Sequence, residues 1–412
     1  MAAPSARTST TTRLERLRLR PGLEVLWRST GELQLGSDPR SAVRLDGLAP
    51  HETRWLSTTG DKPLLVSATR VGVDADRARD LVALLDRAGV TVGPHRSATV
   101  TAPGAGAGDA PALGAVHVRD GLDVLERRAR RTVLVSGTGR TGAALARTLA
   151  TAGVGALLLQ DARPVLASDV GVGGLVLADV GERRDESLAA HLAASSPATV
   201  VRTGNAATSG EPDLVVLVSH RAHDVARATR LVAAGTDHLA VVLEEAGAVV
   251  GPLVVPGRTP CLRCVDLHRR DADSRWPTMA VQLRQRYEGA AAPEETVTAA
   301  TAAALAAGQA LAHLDGVPAT TLSATLELGL PAAVPGHDRG TRIHDAGATV
   351  WIYLSISESR SSPCLRPPRR AAPCAAGHGR AWSRRPHRPR RPDRPTRPTA
   401  RGARSRRPGS PP

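Results

Sequence analysis

The 412-residue chain has no phenylalanine, two tyrosines, five tryptophans and a single lysine, Lys62. With aromatics at 2% and the hydrophobic set at 42%, a core has to be filled by Leu, Val and Ala. Arginine supplies all but one of the 54 basic residues, the imprint of a GC-rich coding sequence. Four cysteines in so long a chain do not make a disulfide framework, so a reducing cytoplasm is the expected compartment. No stretch reads as a membrane span of ~18 or more apolar residues. The N-terminus lacks the apolar segment of a secretory signal. Membrane and disulfide-stapled secreted classes are therefore not expected.

The formal net charge of +15 belongs to one end of the chain. Between 353 and 412, 16 arginines face only Glu358 and Asp393, which leaves the preceding residues nearly neutral. The stretch 357–412 also holds 12 of the 31 prolines. Such a segment cannot bury enough apolar surface to offset its ordering entropy, so 350–412 is read as a disordered Arg/Pro-rich tail. The abrupt shift near Val350 matches a frame-shifted translation of GC-rich DNA. A basic tail can bind nucleic acid through phosphates, but an uninvolved solvated tail is the reading adopted.

Three segments precede the tail. Residues 1–100 carry short strands at 23–35 and 42–48 around a turn at Gly36–Pro39. Helices are expected at 51–58 and 74–89, the second with Asp74 as N-cap, Gly89 as stop, and Leu81, Leu84 and Leu85 at helical spacing. This set resembles a small α+β winged-helix module, without the dense basic helix of a DNA reader. Residues 101–114, rich in Ala, Gly and Pro, read as a linker. From 115 to 335 strands and helices alternate: strands at 131–137, 155–161, 199–202, 213–219, 239–245 and 249–255, helices at 140–152, 184–194, 222–234 and 296–313. Near-continuous Val/Leu strands alternating with helices predict an α/β, Rossmann-like, mostly parallel sheet covered on both faces.

The strongest chemical signal is Gly137-Thr138-Gly139-Arg140-Thr141-Gly142, which follows a strand and opens a helix. Asp161 stands 19 residues beyond Gly142, at the end of the next strand. Glycines permit a tight turn and close backbone approach to phosphates, the helix start offers free N–H groups, and the acid can accept ribose hydroxyls. The plain alternative is glycine packing in a Rossmann-like unit with no ligand. The second signal is Cys261-Leu262-Arg263-Cys264, half of a tetrahedral zinc set with no second CxxC. Cys364 and Cys374 make a poor completing pair, and two free thiols are the alternative. Glu244-Glu245 at a strand end reads as a cap or solvent face. His117, His191, His238 and His268 read as structural or exposed, and Trp276 as packing.

Together the glycine turn, Asp161 and the segment 251–264 resemble the ThiF/MoeB/HesA family of ubiquitin-activating-enzyme-like adenylyltransferases, over about 113–335. The resemblance implies ATP with Mg²⁺ as co-substrate, at Gly137, Gly139, Gly142, Asp161 and Arg184. It implies activation of the C-terminus of a small protein or precursor peptide, and a homodimer. Arg184 stands where the family has a phosphate-binding lysine. Cys261 and Cys264 stand in the first zinc half-site.

The chain also departs from the family. Ser168-Asp169-Val170 replaces Ser-Asn-Leu, and Val172-Gly173 replaces Arg-Gln. His220 stands in place of a metal-organising Asp, and Arg163 in place of an acid. Arg163 and Arg184 stand as compensating cations, with Arg183 and Arg221 read as solvated surface. A winged-helix module ahead of such a domain resembles actinobacterial peptide-modification proteins, in which it binds a leader peptide as an added strand for a cyclodehydratase partner. Leu33, Val43 and Leu45 would then lie on or near the edge strand. Two further readings stay open: a catalytically inactive leader-peptide scaffold, and an NAD-dependent oxidoreductase.

Overall fold

The computed structural model describes residues 13–39, 41–93, 108–204, 211–287, 294–329 and 334–335. The tail expected at 350–412, with Cys364 and Cys374, lies outside the described residues, and so does the proposed frame shift.

Five short strands belong to the N-terminal region: β1 (Arg18–Leu19), β2 (Val25–Ser29), β3 (Glu32–Leu35), β4 (Val43–Leu45) and β5 (Thr91–Val92). β2, β3 and β4 form an antiparallel sheet in that order, and β1 pairs with β5. The stretch 23–35, expected as one strand, is instead a hairpin that turns at Thr30-Gly31. β3 is therefore the middle strand, and Leu33 is fully buried rather than placed at an edge; Val43 and Leu45 do lie on an edge strand.

Three helices follow, Pro50–Thr58, Leu64–Val71 and Ala75–Arg87. Asp74 caps the third by accepting from the amides of Asp76 and Arg77. Its apolar spacing buries Leu81, Val82 and Leu85, while Leu84 faces solvent. Trp55 is fully buried and donates from Nε1 to the Leu64 carbonyl and to Ser67 Oγ, pinning the first two helices over a leucine core. The stretch read as a linker is shorter than expected, because helix Ala110–His117 begins inside it and helix Gly121–Arg128 follows.

Beyond them lies an eight-stranded sheet of β6 (Thr132–Ser136), β7 (Ala156–Gln160), β8 (Val200–Thr203), β9 (Leu214–His220), β10 (His238–Leu243), β11 (Gly247–Val254), β12 (Leu326–Gly329) and β13 (Val334–Pro335). The spatial order is β13-β12-β11-β10-β9-β6-β7-β8. Pairings from β10 to β8 are parallel, and those from β10 to β13 antiparallel. Helices Arg140–Thr151, Arg184–Ser195 and Thr296–Leu314 fill one face; Val225–Ala233 and Leu262–Ala272 pack on the other. Both faces of the central strands are dry, which is why they read as unbroken Val/Leu runs.

By length and composition alone, helix Thr296–Leu314 is apolar enough to cross a membrane, contrary to the sequence reading. It is a core helix here: Ala299, Ala302, Ala303, Ala306, Ala307 and Ala310 are all buried in the larger core. Small side chains let it lie closely along helix Arg140–Thr151, so alanine does the packing that aromatics cannot.

Candidate functional site

Strand order reverses between β6 and β9: the chain leaves β6 toward β7 and β8, then returns to build β9 and β10 on its other side. Open parallel sheets bind ligands at such a reversal, outside the carboxyl ends of the strands. Two elements meet there, the glycine turn after β6 and His220 at the end of β9.

The turn needs its glycines. Gly137 has φ +88°, and a Cβ there would lie 2.5 Å from the Val218 carbonyl oxygen on β9. A Cβ on Gly142 would lie 1.8 Å from the Gly137 carbonyl oxygen, so the helix can start only against a bare backbone. Gly139 is the N-cap residue of helix Arg140–Thr151, whose first amides point to the sheet edge as an anion cradle.

Asp161, just beyond β7, is buried and fully engaged. Its Oδ2 accepts from the Thr138 amide at 3.0 Å. Arg163 grips both oxygens, at 2.7 Å through Nε and 2.8 Å through Nη2. Arg184 Nη1 reaches Oδ2 at 3.4 Å and its Nη2 lies 2.7 Å from Asp169 Oδ2. Burial pushes the Asp161 carboxyl up, but the Arg163 pair, Arg184 and the Thr138 amide outweigh it and hold the group below the usual carboxylate range. The acid is therefore ionised, and its lone pairs are already used inside the protein.

The residue the sequence reading missed is Glu294. It lies just before helix Thr296–Leu314, which Glu295 caps by accepting from the Val297 and Thr298 amides. Glu294 Oε2 accepts from the Thr141 amide at 2.8 Å and from the Thr141 hydroxyl. Oε1 lies 2.8 Å from His220 Nε2. Arg140 clamps the same residue from behind, donating to the Glu294 carbonyl at 2.7 Å and to Thr296 Oγ1 at 3.1 Å. Burial works to raise the Glu294 carboxyl, yet the partners His220 and Thr141 bring it below its ordinary value.

Of the sequence-predicted residues, Gly137, Gly139, Gly142, Asp161, Arg184 and His220 come together around this edge. Arg221 does not behave as solvated surface: it is buried, and its Nε lies 3.2 Å from Glu245 Oε1. Arg183 is half-exposed and pairs with Asp185 and Glu186. Where Val172-Gly173 replaces a family cation, a Cβ on Gly173 would come within 2.5 Å of Ala143 Cβ, so this chain sits flush on the helix.

Cys261 and Cys264 lie apart from that cluster. Their sulfurs are 3.6 Å apart at the start of helix Leu262–Ala272. Two thiols supply half of a tetrahedral zinc set, and no group of three or more His, Cys, Asp or Glu among the described residues completes it. The described residues therefore do not fit a structural zinc. The same holds for a protein-built magnesium cage, since Asp161, Asp169 and Glu294 are each held in ion pairs or hydrogen bonds. Trp276 packs under Arg269, 4.8 Å from its guanidinium carbon, and donates to Asp266.

Comparison with known proteins agrees with this architecture. Among solved structures, Escherichia coli MccB with MccA-N7isoAsn superposes with a TM-score of 0.57 at 15% identity, covering 76% of this chain and 93% of that one. MccB with ATP gives the same figures, TM-score 0.57, 15%, 76% and 93%. PaaA gives a TM-score of 0.58 at 13% identity, covering 76% and 96%. At such identities the likeness speaks for the fold alone. No curated protein sequence matches the chain. The ThiF family model matches residues 115–328, the whole span from the start of the parallel sheet domain to β12, and the chain belongs to the ThiF family.

Proposed function

We propose that this ThiF protein is an adenylyltransferase-like enzyme that binds ATP at the glycine turn and acts on a peptide or small protein. The observation that carries the reading is the turn itself. Gly137, Gly139 and Gly142 deliver a helix N-terminus to the sheet reversal, with Asp161 on the adjoining strand tip and the cation Arg184 beside it. Oriented N–H groups and buried cations are what the charge of a triphosphate and a developing acyl-adenylate require. The MccB structures with ATP and with N-formylated MccA support nucleotide use and a peptide partner. Within this reading Arg184 and Arg163 would hold phosphate charge once freed from Asp161, and Asp161 would accept ribose hydroxyls. Magnesium carried in with the nucleotide would neutralise phosphate charge, held by the phosphates rather than by these engaged carboxylates.

The N-terminal sheet and its three helices, read as a winged-helix-like module, would take the peptide as an added strand along β4, with Val43 and Leu45 on that edge. A cyclodehydratase partner and a homodimer belong to the same reading.

A second reading keeps the fold without the chemistry: a scaffold that presents a leader peptide to another enzyme. His220 in place of a carboxylate, and the carboxylate of Glu294 lying in the cradle, favour it. Calorimetric titration with ATP and NAD, followed by ATP–pyrophosphate exchange with peptide, separates the possibilities. ATP binding with exchange supports the enzyme, and ATP binding without exchange leaves the scaffold. Tight NAD binding with none for ATP overturns both in favour of an oxidoreductase.

A further inference from the structure

The glycine cradle already holds an anion, and that anion belongs to the chain. Glu294 takes the Thr141 amide at 2.8 Å, one of the first free N–H groups of helix Arg140–Thr151, together with the Thr141 hydroxyl. Its Oε1 lies 3.4 Å from where a Gly139 Cβ would sit, on the side of the turn that glycine leaves open. The side chain is 4% exposed, so a charged carboxylate has been taken out of water to make these bonds. That desolvation is costly unless the site is built to receive negative charge. The site is so built: among the described residues, the Thr138 hydroxyl, fully buried within the turn, has no hydrogen-bond partner, and Arg140 Nε is buried without one. One hydroxyl of the turn itself thus stays unmet after Glu294 has taken its share.

We infer that Glu294 is a built-in competitor for the anion site, a self-blocking contact that must withdraw before phosphates can occupy the helix N-terminus. This deepens the nucleotide reading above and rests on it. A phosphate group and a carboxylate cannot share the Thr141 amide, and two anions within van der Waals range repel in a low-dielectric site. The Glu294 carboxylate is held by the Thr141 amide and hydroxyl and by His220 across the sheet edge, so its withdrawal breaks a defined set of bonds. Ligands that release it would be polyanions able to replace every one of them.

The test uses the full chain, with inorganic pyrophosphate and ATP as probes in calorimetric titrations of wild type, Glu294→Ala and Glu294→Gln. Removing a competitor held by charge-assisted hydrogen bonds should tighten binding of both probes by about ten- to a hundredfold in the alanine variant. The glutamine variant keeps the shape and loses the charge, and should gain less; it also serves if the alanine variant does not fold. Equal dissociation constants in wild type and both variants overturn the contact as a competitor while leaving ATP binding intact. A gain for pyrophosphate without any for ATP supports the competitor and ends the nucleotide reading. Folded variants that bind neither probe overturn both.

Discussion

His223 shows how a single side chain ties stability to pH. It is 2% exposed, with Nδ1 buried and without a partner among the described residues. Burial first, then repulsion from Arg269 and Arg284, pushes its pKa down to about 3. In the unfolded chain the ring titrates near ~6.5, so below that pH the unfolded state binds a proton the folded state refuses. Stability from this group is fully present above pH ~6.5 and drains as pH falls, by ~1.4 kcal/mol per unit until the folded pKa is reached. Urea unfolding of wild type and His223→Gln between pH ~7 and ~5 should show a steeper acid loss in wild type, by about 2 kcal/mol over the window. Parallel curves would show that the ring is protonated in the fold. Residues of this kind mark what the sequence could not reveal. Asp161 was legible because it ends the strand that follows the glycine turn, and Arg184 only through the family resemblance. Glu294 was not, because its partners Thr141 and His220 lie 153 and 74 residues away. A Glu-Glu pair ahead of an alanine helix signals a cap, and only the sheet reversal turns the first of the two into a ligand of another helix.

Among the elements, the strand–turn–helix unit from β6 to Thr151 carries the clearest mechanical demand. Gly142 and Gly139 belong to one motif but face different neighbours. A methyl on Gly142 meets a backbone oxygen at 1.8 Å, which cannot move without displacing the turn. A methyl on Gly139 meets only the ends of side chains, Asp169 Oδ1 at 3.3 Å, Glu294 Oε1 at 3.4 Å and the Arg184 guanidinium carbon at 3.9 Å. Gly142→Ala should therefore destabilise by about 1–3 kcal/mol, the usual range for overpacking, whereas Gly139→Ala should stay below ~1 kcal/mol. Urea midpoints decide it, and equal losses would mean that the turn tolerates a side chain at its helix start. The parallel elements were legible for a physical reason: strands buried on both faces need uninterrupted Val/Leu, and that leaves a plain signal. The hairpin at 25–35 was not, because its turn at Thr30-Gly31 is only two residues long and Ser29 and Glu32 on either side already pair as strand. Helix Leu64–Val71 has no side-chain cap at its start, so nothing local announces it.

Across the molecule, the helices that lead into the sheet are fastened to its far end by a buried ion pair. Arg128, from helix Gly121–Arg128, grips Asp315 through Nε at 3.1 and 3.2 Å and through Nη2 at 2.6 Å, just past the end of helix Thr296–Leu314. His117, from the preceding helix, approaches the same carboxylate at 3.3 Å. On the other side Arg18 of β1 pairs with Asp120, so the N-terminal strands are tied to the same short helices. The Arg128 and Asp315 side chains are 6% and 1% exposed, so removal of one partner leaves the other charge stranded. Asp315→Ala should cost ~3–5 kcal/mol, while Arg131→Ala, at the exposed pair with Asp213, should cost ~1 kcal/mol or less. Replacing both members, Arg128→Met with Asp315→Leu, should recover much of the loss, because the penalty lies in the unpaired charge rather than in the missing attraction. Denaturant titration of the four proteins measures it. If Asp315→Ala unfolds no sooner than Arg131→Ala, the pair is not what fastens the two ends of this domain together.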